Sequence, residues 1–235
     1  MRVIGIVGFK KSGKTSLGIG LAKVLNEMGR KVSVIKHVNE GLDFPVNDSR
    51  KYSEFAESVV AVSAGKTEML LQGDRDLDGL LIHAPGDIVL VEGFKKEKTY
   101  PKIVCLRGEE DREALLDGLE ICTAGMGRGK GDYDITDPDH IRQMAALAWD
   151  RAFKLPGLDC GKCGYESCYE LATRIVRGED ALESCLSLHP SVTIRIDGKL
   201  LPLNAFTDGL IRNTIHAMLS TFKGYRKGTV EITIP

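Results

Sequence analysis

Apolar runs alternate with helical patterns along the first 150 residues. Val3–Val7 is an apolar run that ends at Gly8, which is typical of a strand buried on both faces. Residues 14–28 carry apolar side chains on one helical face, and Gly29 can end that helix. Further strand-like runs lie at 32–35, 59–62, 69–71, 88–91, 102–106 and 119–122, and helical stretches lie near 50–57, 76–83, 111–117 and 138–153. The alternation predicts an α/β fold with a mostly parallel sheet and helices on both faces.

The pattern changes after residue 154. Leu155-Pro156-Gly157 has the composition of a linker. Residues 192–196 alternate like a half-buried strand, Asp197-Gly198 predicts a hairpin turn, and residues 203–222 have a helical pattern before 230–234 alternate again. We therefore expect three parts, residues 1–154, 155–190 and 191–235, the last of which is a small α+β unit.

Composition narrows the class of protein. The 235 residues are 43% hydrophobic and 28% charged, as in an ordinary globular protein, which excludes collagen-like and disordered chains. No run of about 18 apolar residues occurs, and no charged and apolar leader precedes the first strand. The net charge of −1 argues against a general nucleic-acid coat. We therefore expect a cytoplasmic protein with neither a membrane nor a nucleic-acid partner.

A complete phosphate-binding motif lies directly after the first strand. Residues 8–15, Gly-Phe-Lys-Lys-Ser-Gly-Lys-Thr, match G-x-x-x-x-G-K-[ST] and open the first helix. Its glycines let backbone N–H groups surround phosphate oxygens, and the helix N-terminus adds partial positive charge. We expect Lys14 to reach the β- and γ-phosphates and the Thr15 hydroxyl to bind Mg²⁺. The motif predicts a P-loop NTPase-type fold whose nucleotide is held by Gly8, Lys10, Lys11, Ser12, Gly13, Lys14, Thr15 and Ser16.

An acidic residue at the end of another buried strand is expected to complete the magnesium site. The run 88–91 ends in Glu92-Gly93, and Glu92 is the candidate for holding Mg²⁺. Asp87, at the start of the same run, is expected to be structural. The alternative is that Glu92 is only a surface turn residue. Lys14 and Glu92 are the candidate catalytic residues of an NTP hydrolysis that we expect to be slow if it occurs.

Four further elements resemble one family. They are Ile35-Lys36-His37, Asp43-x-Pro45-x-x-Asp48-Ser49, Asp87-x-x-x-Val91-Glu92-Gly93-Phe94-Lys95 and residues 133–138, Tyr-Asp-Ile-Thr-Asp-Pro. With the phosphate-binding motif they make residues 1–150 similar to the molybdopterin-guanine dinucleotide biosynthesis protein B family, MobB. The resemblance implies a GTP-binding protein, usually a homodimer, that supports conversion of molybdopterin to its nucleotide form. It also implies that a partner enzyme performs the nucleotidyl transfer.

The same resemblance implies roles for three polar residues. Lys36 and His37 would lie in the loop after the second strand, near the phosphates, and Asp48 would face the metal. The alternatives are a solvated lysine, a hydrogen-bonded loop histidine and a turn-forming aspartate.

Guanine recognition has no motif of its own in the chain. The guanine-reading pattern Asn-Lys-x-Asp is absent, and the glycine-rich residues 123–131 form either a loop that closes over a ligand or a flexible turn. GTP is therefore preferred from the resemblance alone, with ATP as the alternative.

The six cysteines fall into two groups. Cys105 and Cys122 lie within apolar runs and are expected to be small buried hydrophobic residues. The other four follow the spacing C-x2-C-x4-C-x16-C, and three of them lie within nine residues. Glycines after the first two permit a tight path around a compact inorganic core, and a helix that starts at the third would point its positive end at the thiolates. The predicted ligands are Cys160, Cys163, Cys168 and Cys185.

Residues 155–190 also resemble a known module. They are similar to the small 4Fe–4S domain of corrinoid iron–sulfur proteins and of the Rnf electron-transport B subunit, including Cys-Gly-x-Cys-Gly-Tyr and Arg-Gly-Glu-Asp-Ala. The resemblance implies a 4Fe–4S cluster. Zinc, which usually takes two separated cysteine pairs, and free thiols or disulfides are the alternatives. The cluster is either redox-active or a docking or structural element in a segment with little core.

Two functional hypotheses follow. The first is a GTP-binding accessory protein of molybdenum or tungsten pterin cofactor biosynthesis that carries a 4Fe–4S cluster. Its partner would be a molybdopterin nucleotidyltransferase or a molybdenum or tungsten apo-enzyme. The second is a nucleotide-driven electron-transfer or metallocluster-delivery protein for a metalloenzyme. Relatives with that activity commonly carry a lysine second in the phosphate loop, where this chain has Phe9, which favours the first hypothesis.

Overall fold

The chain forms two compact units. A computed structural model of the full chain describes residues 1–38, 51–52, 55–127, 129–188, 191–196, 199–201, 203–226 and 228–232. The first unit comprises Met1–Lys96, Lys102–Leu116 and Glu120–Ala152, and the second comprises Glu97–Pro101, Asp117–Leu119 and Phe153–Pro235. None of the described helices is long and apolar enough to cross a membrane.

A six-stranded parallel sheet is the centre of the first unit. The described part of this unit contains eight strands, six of which form the sheet. They are β1 (Arg2–Gly8), β2 (Val32–Lys36), β3 (Ser58–Ser63), β4 (Lys66–Leu71), β5 (Ile88–Glu92), β6 (Lys102–Leu106), β7 (Glu120–Gly125) and β8 (Tyr133–Asp134). The sheet order is β2-β5-β1-β6-β7-β8, and each neighbouring pair is parallel. All residues of β5 and β6 are buried because both strands are covered on both faces, and all of them except Glu92 and Lys102 are apolar. The predicted mostly parallel α/β fold is confirmed.

Helices cover both faces of this sheet. The structure gives bounds for four in the first unit: α1 (Lys14–Glu27), α2 (Leu77–Leu81), α3 (Asp111–Leu115) and α4 (Pro138–Arg151). Alternate residues of a strand point to opposite faces. Ile103 and Cys105 of β6 therefore pack into the core that includes α1 and α4, whereas Val104 and Leu106 pack with Leu115 of α3.

Two of the strand-like runs differ from the prediction. β3 and β4 pair with each other as an antiparallel hairpin outside the parallel sheet. A parallel crossover needs a dozen or more residues, and only Ala64 and Gly65 separate these strands. Their alternate residues Val60, Val62 and Met69 are exposed, so apolar content alone did not indicate burial in the main sheet. The helix predicted near 50–57 and the predicted site residue Asp48 lie partly or wholly outside the described residues.

The second unit is built around the helix that follows the third cysteine of the motif. Helix α5 (Cys168–Arg177) is capped by Ser167, whose Oγ accepts from the N–H of Glu170 at 3.1 Å, and it ends at the left-handed Gly178. Leu171 and Ala172 face a small core, as the apolar pattern predicted. The other buried members of that core are Leu119, Phe153, Leu155, Cys168 and Cys185.

The C-terminal segment of this unit contains a hairpin and a helix. Strands β9 (Ile194–Ile196) and β10 (Lys199–Leu201) are antiparallel, and α6 spans Ala205–Ser220. Asn204 caps α6 by accepting from the N–H groups of Phe206 and Thr207. The predicted turn at 197–198 lies outside the described residues. The strand predicted at 230–234 is absent from its described part, where Val230 and Ile232 are exposed and irregular.

Candidate functional site

The phosphate loop connects β1 to α1 at the carboxyl edge of the sheet, where ligands of open α/β sheets bind. Gly13 has φ +87° and ends the loop directly before Lys14, the first residue of α1. A Cβ on Gly8 would lie 2.6 Å from the Cys105 carbonyl oxygen and against the Ser12 hydroxyl, so glycine is required there. Lys14 Nζ donates to the Phe9 carbonyl at 2.6 Å. The Lys14 side chain therefore reaches back across the phosphate loop to its second residue.

The donors of this loop fit a phosphate group. Ser12 is only 2% exposed, and its Oγ has no hydrogen-bond partner among the described residues. No side chain caps α1, and its first turn contains no acidic residue. The N–H groups at a helix N-terminus lack intrahelical acceptors and attract anions. Phosphate oxygens are the acceptors that such an arrangement suits.

Three polar side chains meet beside the first turn of α1. Lys36 and Glu92 are register partners at the ends of β2 and β5. Thr15 Oγ1 donates to Glu92 Oε1 at 2.9 Å, while Lys36 Nζ lies 3.0 Å from Thr15 Oγ1 and 3.2 Å from Glu92 Oε1. The Lys36 ammonium group thus contacts both predicted magnesium ligands. The Thr15 hydroxyl and the Glu92 carboxylate are oxygen ligands, which Mg²⁺ prefers, and in this structure they already share one cation.

Glu92 at the end of β5 and Asp87 just before its start have different surroundings. Glu92 is only 8% exposed, so it is not a surface turn residue. Asp87 Oδ2 accepts from the backbone N–H of Lys31 at 2.8 Å. Asp87 thereby links the start of β5 to the residue before β2, which is consistent with the expected structural role.

The remaining predicted residues line the rim of the loop or lie beside it. The backbone N–H of His37 donates to the Glu92 carbonyl at 2.9 Å, and its ring meets Phe94 edge to face at 5.3 Å. His37 is thus placed after β2, as the resemblance implied, with its ring against Phe94. His37, Lys10, Lys11 and Ser16 are all exposed.

Two aspartates accept hydrogen bonds from Thr123 and Gly127 of the glycine-rich segment 123–131. Asp132 Oδ2 accepts from both the N–H and the hydroxyl of Thr123 at 2.8 Å. Asp134 Oδ1 accepts from Gly127 at 3.0 Å. Hydrogen bonds to Thr136 hold the pKa of Asp134 below its usual value. A Cβ on Gly13 would contact Met126 of this segment and Ile135, which follows it, so both residues lie against the phosphate loop. Arg128 lies outside the described residues.

In the second unit, one pocket gathers the four cysteines of the motif. Cys168 and Cys185 are buried, Cys160 and Cys163 are half-buried, and all four line the same pocket. Gly161 and Gly164 have φ +67° and +89°, the left-handed conformations that the tight path around a core was expected to need. The helix that follows Cys168 directs its N-terminus to this pocket.

Backbone N–H groups already point at three of these sulfurs. The N–H of Lys162 lowers the pKa of Cys160, whereas burial raises the pKa of Cys168 and of Cys185. The N–H groups of Asp159 and Ser187 partly offset that effect for the two buried thiols. Hydrogen bonds to cysteine sulfurs are one of the ways in which proteins tune iron–sulfur clusters, so this donor set fits a cluster.

No group of three His, Cys, Asp or Glu side chains that could hold a single metal ion occurs in the described part of the chain. A 4Fe–4S cluster sets a different requirement, since each of its four cysteines binds a different iron. Ligands of a cluster are therefore spaced more widely than ligands of one ion.

Two aspartates that sequence reasoning did not assign support the cysteine loops. Asp159 has φ +43°, and its Oδ1 accepts from the N–H of Cys168 at 2.6 Å. Asp180 accepts from the Tyr165 hydroxyl at 2.6 Å and from Ser184. It thereby joins the loop after Cys163 to the turn before Cys185. The position of Asp159 directly before the first cysteine of the motif is the sequence signal from which its role could have been predicted.

The other two cysteines belong to the core of the first unit. Burial raises the pKa of Cys105 and of Cys122 to about 12. A thiol with such a pKa stays protonated and is neither a nucleophile nor a ready ligand. Both were predicted to be buried hydrophobic residues, and both are.

The phosphate loop between the first strand and helix of a parallel sheet defines a P-loop α/β protein, here joined to a four-cysteine module. The chain belongs to the molybdopterin guanine dinucleotide synthesis protein B family, MobB, whose family model matches residues 3–124. A second family model, described as "Putative Fe-S cluster", matches residues 155–187.

Named relatives and a solved structure agree with this assignment. A Methanocaldococcus jannaschii protein, named "Putative molybdopterin-guanine dinucleotide biosynthesis adapter protein", is 29% identical over 95% of this chain and 93% of its own length. A Bacillus subtilis protein, named "Probable molybdopterin-guanine dinucleotide biosynthesis adapter protein", is 32% identical over 48% of this chain and 69% of its own. The crystal structure of Bacillus subtilis MobB has a TM-score of 0.53 at 25% identity and covers 63% of this chain and 98% of that one.

Proposed function

We propose that this protein is an adapter of molybdopterin guanine dinucleotide biosynthesis that binds magnesium and GTP and carries a 4Fe–4S cluster. The contact of Thr15, Glu92 and Lys36 beside the phosphate loop carries the nucleotide part of the proposal. A guanine nucleotide is favoured over ATP because the names of both relatives refer to molybdopterin-guanine dinucleotide biosynthesis. The partner would be the nucleotidyltransferase that joins guanylate to molybdopterin, or the molybdenum or tungsten enzyme that receives the product.

Each residue of the nucleotide site has a defined task in this proposal. Lys14 neutralises the β- and γ-phosphates, and the N–H groups of residues 10–16 with the Ser12 hydroxyl hold their oxygens. Thr15 and Glu92 hold Mg²⁺, which supplies charge neutralisation between the phosphates. Lys36 contacts both ligands before the metal binds and is then available to a phosphate oxygen. Hydrolysis, if it occurs, is slow.

The adapter role is tested by reconstitution. Molybdopterin, a nucleotidyltransferase and MgGTP are combined with or without this protein, and the dinucleotide is quantified as its fluorescent oxidised pterin. We expect faster product formation at limiting GTP with the wild-type protein, and no gain with Lys14→Ala. Equal product yield with and without the wild-type protein would contradict the adapter role.

Glu92→Gln is expected to remove most of the effect of Mg²⁺ on GTP affinity. Glutamine keeps the shape of the side chain but loses the negative charge that attracts the metal, a loss of about 1.4 kcal/mol or tenfold. The measurement is GTP titration calorimetry in Mg²⁺ and in EDTA. The control is Glu27→Gln at the exposed end of α1. Full Mg²⁺ enhancement in Glu92→Gln would show that another group holds the metal.

We further propose that the β3–β4 hairpin forms the homodimer contact. A two-stranded ribbon is marginally stable alone, and its edges offer unpaired backbone groups to another chain. Val60 and Met69 lie directly opposite each other, with Val62 on the same exposed face. An exposed apolar face of this kind favours burial against a second copy.

Val62→Asp is expected to weaken the dimer. Val62 is 75% exposed in the single chain, and a carboxylate at a two-fold contact is introduced twice. We expect the dimer Kd in sedimentation experiments to rise by about a hundredfold, a loss of roughly 3 kcal/mol. The control is Ile19→Asp, which places the same charge at a 68% exposed aliphatic residue of α1. An unchanged dimer with Val62→Asp would exclude the hairpin contact.

A further inference from the structure

Three neighbouring strands bring an unassigned cluster to the carboxyl edge of the sheet. Phe9 follows β1, Lys95 follows β5 and Arg107 follows β6, and the sheet order is β5-β1-β6. Lys95 Nζ lies 4.1 Å from the centre of the Phe9 ring, and the Arg107 guanidinium carbon lies 4.8 Å from it. Both cations therefore share one aromatic ring beside the phosphate loop. Cation–π contact favours such placement.

A buried carboxylate fixes the arginine. Asp111 is 1% exposed. It accepts from Arg107 Nε at 3.0 Å and from Nη2 at 2.7 Å, and its Oδ2 also accepts from the Arg107 backbone N–H at 2.9 Å. These bonds hold the pKa of Asp111 below its usual value. Because two nitrogens of the guanidinium are held by Asp111, its orientation is set before any ligand arrives.

Positive charge accumulates at this corner of the site. Burial lowers the pKa of Lys95, and the positive charges of Lys14 and Arg107 lower it further. The negative charge of Asp111 raises this pKa but does not cancel the decrease. Like charges held close together repel, even where both side chains are exposed, as those of Lys95 and Arg107 are. An anion with several oxygens removes that repulsion, and a phosphate group matches both the planar guanidinium and the ammonium.

We propose that Lys95 and Arg107, held on the ring of Phe9, form a second phosphate-binding subsite beside the phosphate loop. The inference deepens the proposed function, since it rests on a nucleotide in the loop and assigns a neighbouring phosphate position. Two sources share this chemistry: the terminal phosphate of the nucleotide and the phosphate monoester of a second ligand.

The test compares Lys95→Gln and Arg107→Gln with the wild type and with Lys96→Gln, which changes an adjacent exposed lysine. Calorimetry gives the affinities for MgGDP and MgGTP, and equilibrium dialysis of radiolabelled inorganic phosphate gives its affinity for the MgGDP complex. Selective weakening of inorganic phosphate binding by about tenfold or more supports the subsite and assigns it to a second ligand. Selective weakening of MgGTP by that factor supports it and assigns it to the terminal phosphate.

Other outcomes overturn the subsite. Unchanged affinities in both variants, or equal losses for MgGDP and MgGTP with phosphate binding unchanged, would leave Lys95 and Arg107 as structural residues. The two proposals fail separately. A wild-type protein that binds neither nucleotide refutes the nucleotide site itself, whereas tight MgGDP binding with indifferent variants refutes only the subsite. Thermal unfolding of each variant checks that the Arg107–Asp111 contact is not needed for folding.

Discussion

Lys14→Ala is expected to weaken MgGTP binding by roughly a hundredfold. The variant removes a charge-assisted hydrogen bond to the phosphates worth about 3 kcal/mol, and each 1.4 kcal/mol is tenfold in affinity. It also removes the bond from Lys14 Nζ to the Phe9 carbonyl, at 2.6 Å, that holds the loop in shape. Titration calorimetry with MgGTP and with MgATP measures both the loss and the preference for guanine.

The matched control for this variant is Lys23→Ala, an exposed lysine on the same helix. It removes the same charge without touching the loop, so its affinity is expected to stay within twofold of the wild type. Equal affinities for Lys14→Ala and Lys23→Ala would mean that the phosphate loop does not bind the nucleotide. Equal affinity of the wild type for MgATP and MgGTP would remove guanine specificity from the proposal and leave the loop assignment intact.

The parallel sheet was predictable because each strand carries its own signal. Residues 88–91 and 102–106 are apolar at every or nearly every position, as strands covered on both faces must be. The β3–β4 hairpin was not placed, because its Val and Met residues are equally apolar but exposed. Apolar content predicts a strand, whereas burial depends on what the rest of the chain packs against it.

The candidate site likewise contains residues that a local motif predicts and contacts that depend on the order of the strands. Lys14 and Thr15 were predicted because the loop motif is contiguous in the sequence. The contact of Lys36 with Glu92 depends on β2 lying beside β5, and the cluster of Phe9, Lys95 and Arg107 depends on the order β5-β1-β6. Sheet order is set by long-range pairing, which no local spacing encodes. The family resemblance supplied Lys36, but nothing in the spacing indicated Arg107.

Cys160→Ala/Cys163→Ala is expected to remove most of the iron–sulfur incorporation. Anaerobic reconstitution should give the wild-type protein about four irons per chain with a 4Fe–4S spectrum, and the variant should keep under a quarter of that iron, because two of four irons lose their thiolate ligand. Iron analysis and electron paramagnetic resonance of the reduced protein measure the effect. A cluster also stabilises a segment with little core, so the variant should be more readily proteolysed between residues 155 and 190.

The matched control is Cys122→Ala, which removes a buried thiol from the first unit and should leave the iron content unchanged. Equal iron loss in both proteins, or none in either, would contradict the assigned ligands.

A redox titration of the wild type with and without MgGTP then separates the two functional hypotheses. A midpoint shift of about 60 mV equals 1.4 kcal/mol for one electron, and by linkage the redox state would bias nucleotide affinity equally. Such coupling is what a nucleotide-driven electron-transfer protein requires, whereas an adapter whose cluster is a docking or structural element needs none.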